Sequence, residues 1–109
     1  MAMDNSYQKI VVYVPIKDAE RVREAIGKVG AGKIGNYSFC SFSSEGIGRF
    51  LPERGANPAI GKVGKLEEVS EERIEVTCKS ALVSDVVMAI KKAHPYEEPV
   101  IDIYQIRVP

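Results

Sequence analysis

Near the C-terminal end, the stretch Ala93-His94-Pro95-Tyr96-Glu97-Glu98-Pro99 gathers the chain's only histidine, two adjacent carboxylates and a tyrosine between two prolines. His94, Glu97, Glu98 and the nearby Asp102 form a set of imidazole and carboxylates able to ligate a divalent transition metal such as zinc, copper, nickel or manganese. Cys40 could add a soft ligand if the fold brings it near His94. The competing reading is structural: His94 bonds a neighbour, Tyr96 packs in an interface, and the glutamates pair with basic residues. Pro95 disfavours helical geometry at His94, so the histidine ends the preceding helix and the groups that follow stand on a stiff turn. A turn so restricted loses little entropy on ordering, which suits a subunit interface.

A second constellation lies between Gly46 and Gly64, a stretch with five glycines and two prolines. It carries Arg49, Arg54 and Lys62, and glycine amides with basic side chains can cradle an anion. It lacks the GxxxxGK[ST] pattern and opens no helix after a strand, so it is not a P-loop. The alternative is an excursion that wraps a neighbouring subunit, with Phe50, Pro58 and Tyr96 at the contact. Glu67, Glu68, Glu71, Glu72 and Glu75 make an acidic run that reads as a solvated strand edge, although Glu71 could reach a site.

The elements that position these groups follow from periodicity. Gln8 to Val14 is a β-branched run stopped by Pro15, and the polar residues before it read as a frayed tail. Asp18 serves as an N-cap before Ala19, Val22, Ala25, Ile26 and Val29, which recur at helical spacing until Gly27, Gly30 and Gly32 end the helix. Tyr37 to Ser43 reads as a strand, and Arg49 to Leu51 as a short one within the excursion. Val69 to Lys79 is the clearest strand, because Ile74, Val76 and Cys78 alternate with polar residues. Ser80 caps a second helix with Leu82, Val83, Val86, Val87, Ile90 and Ala93 on its apolar stripe. Val100 to Val108 is the last strand. The order is βαββαβ, an α+β ferredoxin-like pattern: a four-stranded antiparallel sheet with two helices on one face. Ile74, Val76, Ile90, Val86 and Val12 belong in the core. The uncovered face must meet water or a partner.

Composition sets outer bounds. The 109 residues suit one domain, 45% hydrophobic and 28% charged. Residues 1–54 carry eight basic and six acidic groups and residues 55–109 seven and nine, so the formal net charge of zero is not segregated and no nucleic-acid surface is expected. Cys40 and Cys78 are too few for a disulfide scaffold and read as reduced thiols. No apolar run reaches the ~18 residues of a membrane span and no leader is evident, which points to the cytoplasm.

Taken together, the residues resemble a family. They are Gly35-Asn36-Tyr37-Ser38 with Cys40 and Phe42, then Gly46-Ile47-Gly48-Arg49-Phe50, Pro52, Gly55-Ala56-Asn57-Pro58, Ile60-Gly61 and Glu71. Ala93 to Pro99 with Asp102 complete the set. The pattern, running from about Tyr7 to Ile106, resembles the CutA/PII-like insert domain of the YqfO-type Nif-related protein family, here as a free-standing chain. The resemblance implies a ferredoxin-like fold and self-association into a homo-oligomer, a trimer, through sheet faces and edges. It also implies an association with divalent ions, but no established catalysis. The dinuclear metal centre of the family lies in flanking domains and is not transferred to these residues. The resulting expectation is an oligomeric binding or regulatory module, with a divalent metal as its candidate cofactor. The alternatives are an anion or nucleotide sensor built on the glycine-rich loop, and a small metal- or cysteine-dependent enzyme.

Overall fold

In a computed structural model, residues 4–109 are described. The element order is β1 (Asp4–Pro15), α1 (Ile16–Val29), β2 (Phe42–Phe50), β3 (Glu67–Lys79), a 3-10 turn (Ser80–Leu82), α2 (Val83–Ala93) and β4 (Ile101–Val108). The strands form one antiparallel sheet in the order β2-β3-β1-β4, which is the expected ferredoxin-like architecture.

Both helices pack on the same face. Ile10, Val12 and Val14 of β1 and Ile74, Val76 and Cys78 of β3 meet Ala19, Val22 and Ile26 of α1 and Val86 and Ile90 of α2. All five residues placed in the core by the pattern are there. The register Ile10–Val76 and Val12–Ile74 turns these β-branched side chains the same way, so period two on the strands and period 3.6 on the helices meet in one dry layer. The opposite face carries Lys9, Val11 and Tyr13 beside Thr77, Glu75 and Arg73, with Tyr104 and Asp102 on β4.

Several boundaries differ from the sequence reading. Asp4 to Ser6 is strand rather than frayed tail, while Met1 to Met3 lie outside the described residues. Asp18 sits inside the first turn of α1, paired with Arg21, and Pro15 holds the N-cap position. Ser80 opens a 3-10 turn rather than capping α2 directly. The larger correction concerns Tyr37 to Cys40, which is not strand. Phe39 has φ +60°, and its ring lies over Gly27 of α1 where a Cβ would come within 2.0 Å. The strand is instead the glycine-bearing segment Phe42–Phe50. Its last four pairs with β3, Ile47–Ser70 to Phe50–Glu67, run on past the Pro15–Glu71 pair that ends β1. The result is a two-stranded arm that helps draw the molecule out to 53 × 23 × 22 Å.

Candidate functional site

The stretch from His94 to Pro99 carries the chain from the end of α2 to the start of β4 at the root of this arm. His94 is the C-cap of α2 in extended geometry (φ −78°, ψ 138°), as the proline after it requires. Its ring is buried, 6% exposed, and both nitrogens are engaged. The Tyr96 amide donates to Nδ1 at 3.1 Å, which leaves the proton on Nε2, and Nε2 donates to the Tyr13 carbonyl at 2.7 Å. This is a neutral imidazole whose only lone pair is already used. Burial drives its pKa below the usual histidine value, against the opposing pull of the Tyr13 carbonyl.

The same turn sends Tyr96 over the sheet end. Its ring meets His94 at 4.9 Å and Phe50 of the arm edge-on at 5.7 Å, and its hydroxyl donates to Glu71 Oε2 at 2.9 Å. Burial and the adjacent carboxylate push the phenol pKa well above its ordinary value, so it remains a donor. Glu71 is 8% exposed although it stands on the face the helices leave open. Its carboxylate lies over Gly48 of the paired strand, where a Cβ would approach Oε1 to 1.9 Å. Tyr96→Phe should therefore cost about 1–2 kcal/mol, since it removes a hydrogen bond to a charged, buried acceptor. Urea unfolding that shows no loss would dismiss this bond as a contributor.

Between the arm, the excursion that follows it and the turn lies a groove of about 730 Å³. Tyr13, Phe50, Pro52, Pro58 and Ile60 supply apolar wall, and Glu71, Arg73, Glu97 and Glu98 supply charge. The excursion is tied to the turn by the Asn57 amide, which donates to Glu97 Oε1 at 3.0 Å. Arg73 donates to the Tyr13 hydroxyl at 3.2 Å and sits 5.7 Å from that ring's centroid.

The residues singled out from sequence thus separate. Glu97, Glu98, Arg49, Phe50, Pro58 and Tyr96 line the groove. Arg49 is bound to Glu68 at 2.7 Å, while Arg54 and Lys62 lie on the excursion without an ion pair to any described residue. Asp102 is held in the sheet opposite Val11. Cys40 belongs to the loop before β2, where its amide bonds Gly32 O at 2.9 Å, and Gly32 in turn bonds Thr77 O at 2.9 Å. Thr77 is four residues along β3 from Arg73, the partner of Tyr13, so Cys40 and His94 attach at points roughly 13 Å apart on the sheet. Among the described residues no three His, Cys, Asp or Glu side chains are grouped to hold a metal. A metal at His94 would have to displace the Tyr96 amide or the Tyr13 carbonyl.

The acidic run is an open strand edge only at Glu67 and Glu68, on the arm beyond the end of β1; from Glu71 onward β3 lies between β2 and β1. Four of its five members are engaged one by one: Glu68 pairs with Arg49, Glu72 with Arg23, Glu75 with Lys9 and Arg73, and Glu71 with Tyr96. Tyr13 and Arg73 of the groove carried no sequence signal beyond their places on the wet faces of two strands. Glu71 is singled out in sequence as the member of the acidic run that could reach a site, and Gly48 on the paired strand leaves the space for it.

The fold is that of CutA and PII-like domains. CutA from Archaeoglobus fulgidus superposes with TM-score 0.69 at 22% identity over 92% of this chain and 83% of that one, a likeness of fold. The Bacillus subtilis GlnK–ATP complex gives 0.63 at 17% over 96% of this chain and 85% of that one. A Bacillus cereus protein related to NIF3 gives 0.81 at 45% identity, over 97% of this chain and 27% of that chain. Proteins named GTP cyclohydrolase 1 type 2 homolog from Halalkalibacterium halodurans and Bacillus subtilis are each 52% identical, over 93% and 91% of this chain and 27% and 26% of their own lengths. No family model matches the chain. The chain is a homologue of the CutA/PII-like segment of the YqfO/NIF3-type family, and it spans about a quarter of the length of the curated relatives it matches. None of its described helices is long and apolar enough to cross a membrane.

Proposed function

We propose that the chain is a self-associating binding or regulatory module of the CutA/PII-like kind, a trimer acting in the cytoplasm, with the groove at the arm root as its ligand site. The groove is the observation that carries this reading. A concavity of about 730 Å³ with mainly apolar walls and a few fixed polar groups falls in the size range of small-molecule sites. Self-association is supported by an open sheet face, two free edges (β2 and β4) and the more than half exposed Phe42 and Ile47 of β2 and Leu51 just after it. Tyr96 and Phe50 would meet the neighbouring subunit together as one packed pair.

A nucleotide or other anion is the second reading, favoured by the unpaired Arg54 and Lys62 and by the ATP complex of the GlnK neighbour. A divalent transition metal at His94, Glu97, Glu98 or Asp102 ranks below it, because the imidazole lone pair is already engaged. Neither reading requires catalysis.

Sedimentation at micromolar concentration tests the assembly. A trimer is expected, and a stable monomer overturns it. Adding zinc, copper, nickel or manganese in the same runs tests the metal reading: stoichiometric binding lost in both His94→Ala and Asp102→Asn would promote that reading above the groove.

A further inference from the structure

Glu71 is the one buried carboxylate of the groove, and it lacks a counter-charge. It is 8% exposed, accepts the Tyr96 hydroxyl, and forms no ion pair with any described residue. Arg73 stands two residues away on the same face of β3, but its guanidinium is drawn toward the Tyr13 hydroxyl and Glu75. A carboxylate taken out of water without a cation is costly, and a glutamate placed there is stabilised when a cation arrives.

Two further features point the same way. The groove is lined by five carboxylates (Glu45, Glu53, Glu71, Glu97 and Glu98) and two guanidiniums. One of the guanidiniums, Arg49, is already spent on Glu68. The walls also present the rings of Phe50 and Tyr96, the Tyr13 ring being already beneath Arg73, and an aromatic face attracts a desolvated cation. Hydrogen in place of a side chain at Gly48 keeps the space in which the carboxylate lies.

We propose that the groove takes a small organic cation, its ammonium or guanidinium group seated on Glu71 and its apolar body along Phe50, Tyr13 and Pro58. This rests on the groove being the ligand site proposed above and names the class of ligand.

The test uses benzylammonium and its neutral counterpart, benzyl alcohol, titrated into the isotope-labelled full chain while the amides of Gly48 and Asn57 are followed by NMR. Benzylammonium is expected to shift these amides with a Kd of about a millimolar or tighter. Glu71→Gln, which still accepts the Tyr96 hydroxyl, should weaken it by about tenfold or more, and benzyl alcohol should bind both proteins equally. Equal affinity of the two probes for wild type overturns the cation while leaving the groove as a ligand site. No shift with either probe overturns both. If Glu71→Gln does not fold, the preference of wild type for the charged probe, and its decline with added salt, decides the question. Sedimentation in parallel separates a free ligand from a side chain of a second copy: an oligomer that dissociates as benzylammonium binds overturns the small-ligand assignment.

Discussion

Gly32→Ala is expected to lower folding stability by about 3 kcal/mol, from roughly 1–2 for the left-handed backbone and the rest for overpacking. Gly32 has φ +76°, and a Cβ built on it would stand 2.3 Å from the Cys40 carbonyl oxygen and 2.9 Å from the Cys40 nitrogen. Both contacts are backbone, so no rotamer change relieves them. The same residue joins two parts of the fold. Its amide donates to Thr77 O, and its carbonyl accepts from the Cys40 amide, each at 2.9 Å. Shifting either atom detaches the loop before β2 from the end of β3. Gly35→Ala is the internal control, since it also has positive φ (+55°) but open space around it, and should cost only the backbone share of about 1 kcal/mol. Urea unfolding of the two variants checks the difference, and equal losses would show that the contact with Cys40 does not matter.

His94→Ala is expected to cost about 2–4 kcal/mol and to remove an acid-dependent part of stability. The truncation leaves the Tyr13 carbonyl and the Tyr96 amide without their partners at a buried site, at about 1–3 kcal/mol for each group left unsatisfied. The pH effect follows from linkage. An unfolded histidine titrates near 6.5, whereas burial lowers the value in the folded chain. Between the two values the unfolded chain binds more protons, so acid favours unfolding there. The contribution is complete above pH 6.5, shrinks as pH falls below it, and levels off once pH is under the folded value. The structural cause is plain, because a proton on Nδ1 would face the Tyr96 N–H, two donors against each other. Unfolding midpoints measured from about pH 8 down to about pH 5 should fall in wild type and lose that histidine component in His94→Ala. Identical slopes in the two proteins would contradict the buried neutral imidazole.

Together the two sites show what holds the groove in place. Gly32 fixes the far end of β3, and His94 fixes the turn that carries Tyr96 to Glu71. Neither lines the groove, yet the strand that presents Glu71 and the turn that covers it depend on backbone contacts that only one side chain, or none, allows.

The sequence by itself determined the layer structure. Alternation at Ile74, Val76 and Cys78 and the helical spacing of Val22 with Ile26 and of Val86 with Ile90 leave one consistent way to bury apolar surface, and the structure uses it. Pro95 likewise settled that α2 ends at His94. These are local signals, set by the periods of strand and helix. What only the tertiary structure decided depends on partners far away in sequence. Gly46 and Gly48 read as loop because glycine weakens a strand, yet they lie in β2, and at 48 the reason is a carboxylate from 23 positions further on. Tyr37 to Cys40 has strand composition, but Phe39 adopts a positive φ and packs on Gly27. Glu71 stood out in its acidic run only as a charge that could reach a site. Strand order puts it at a central position, and the turn after α2 lays Tyr96 across it. His94 was visible as the chain's only imidazole, but the engagement of both its nitrogens follows from the position of Tyr13, 81 residues earlier, and no spacing within the turn encodes that.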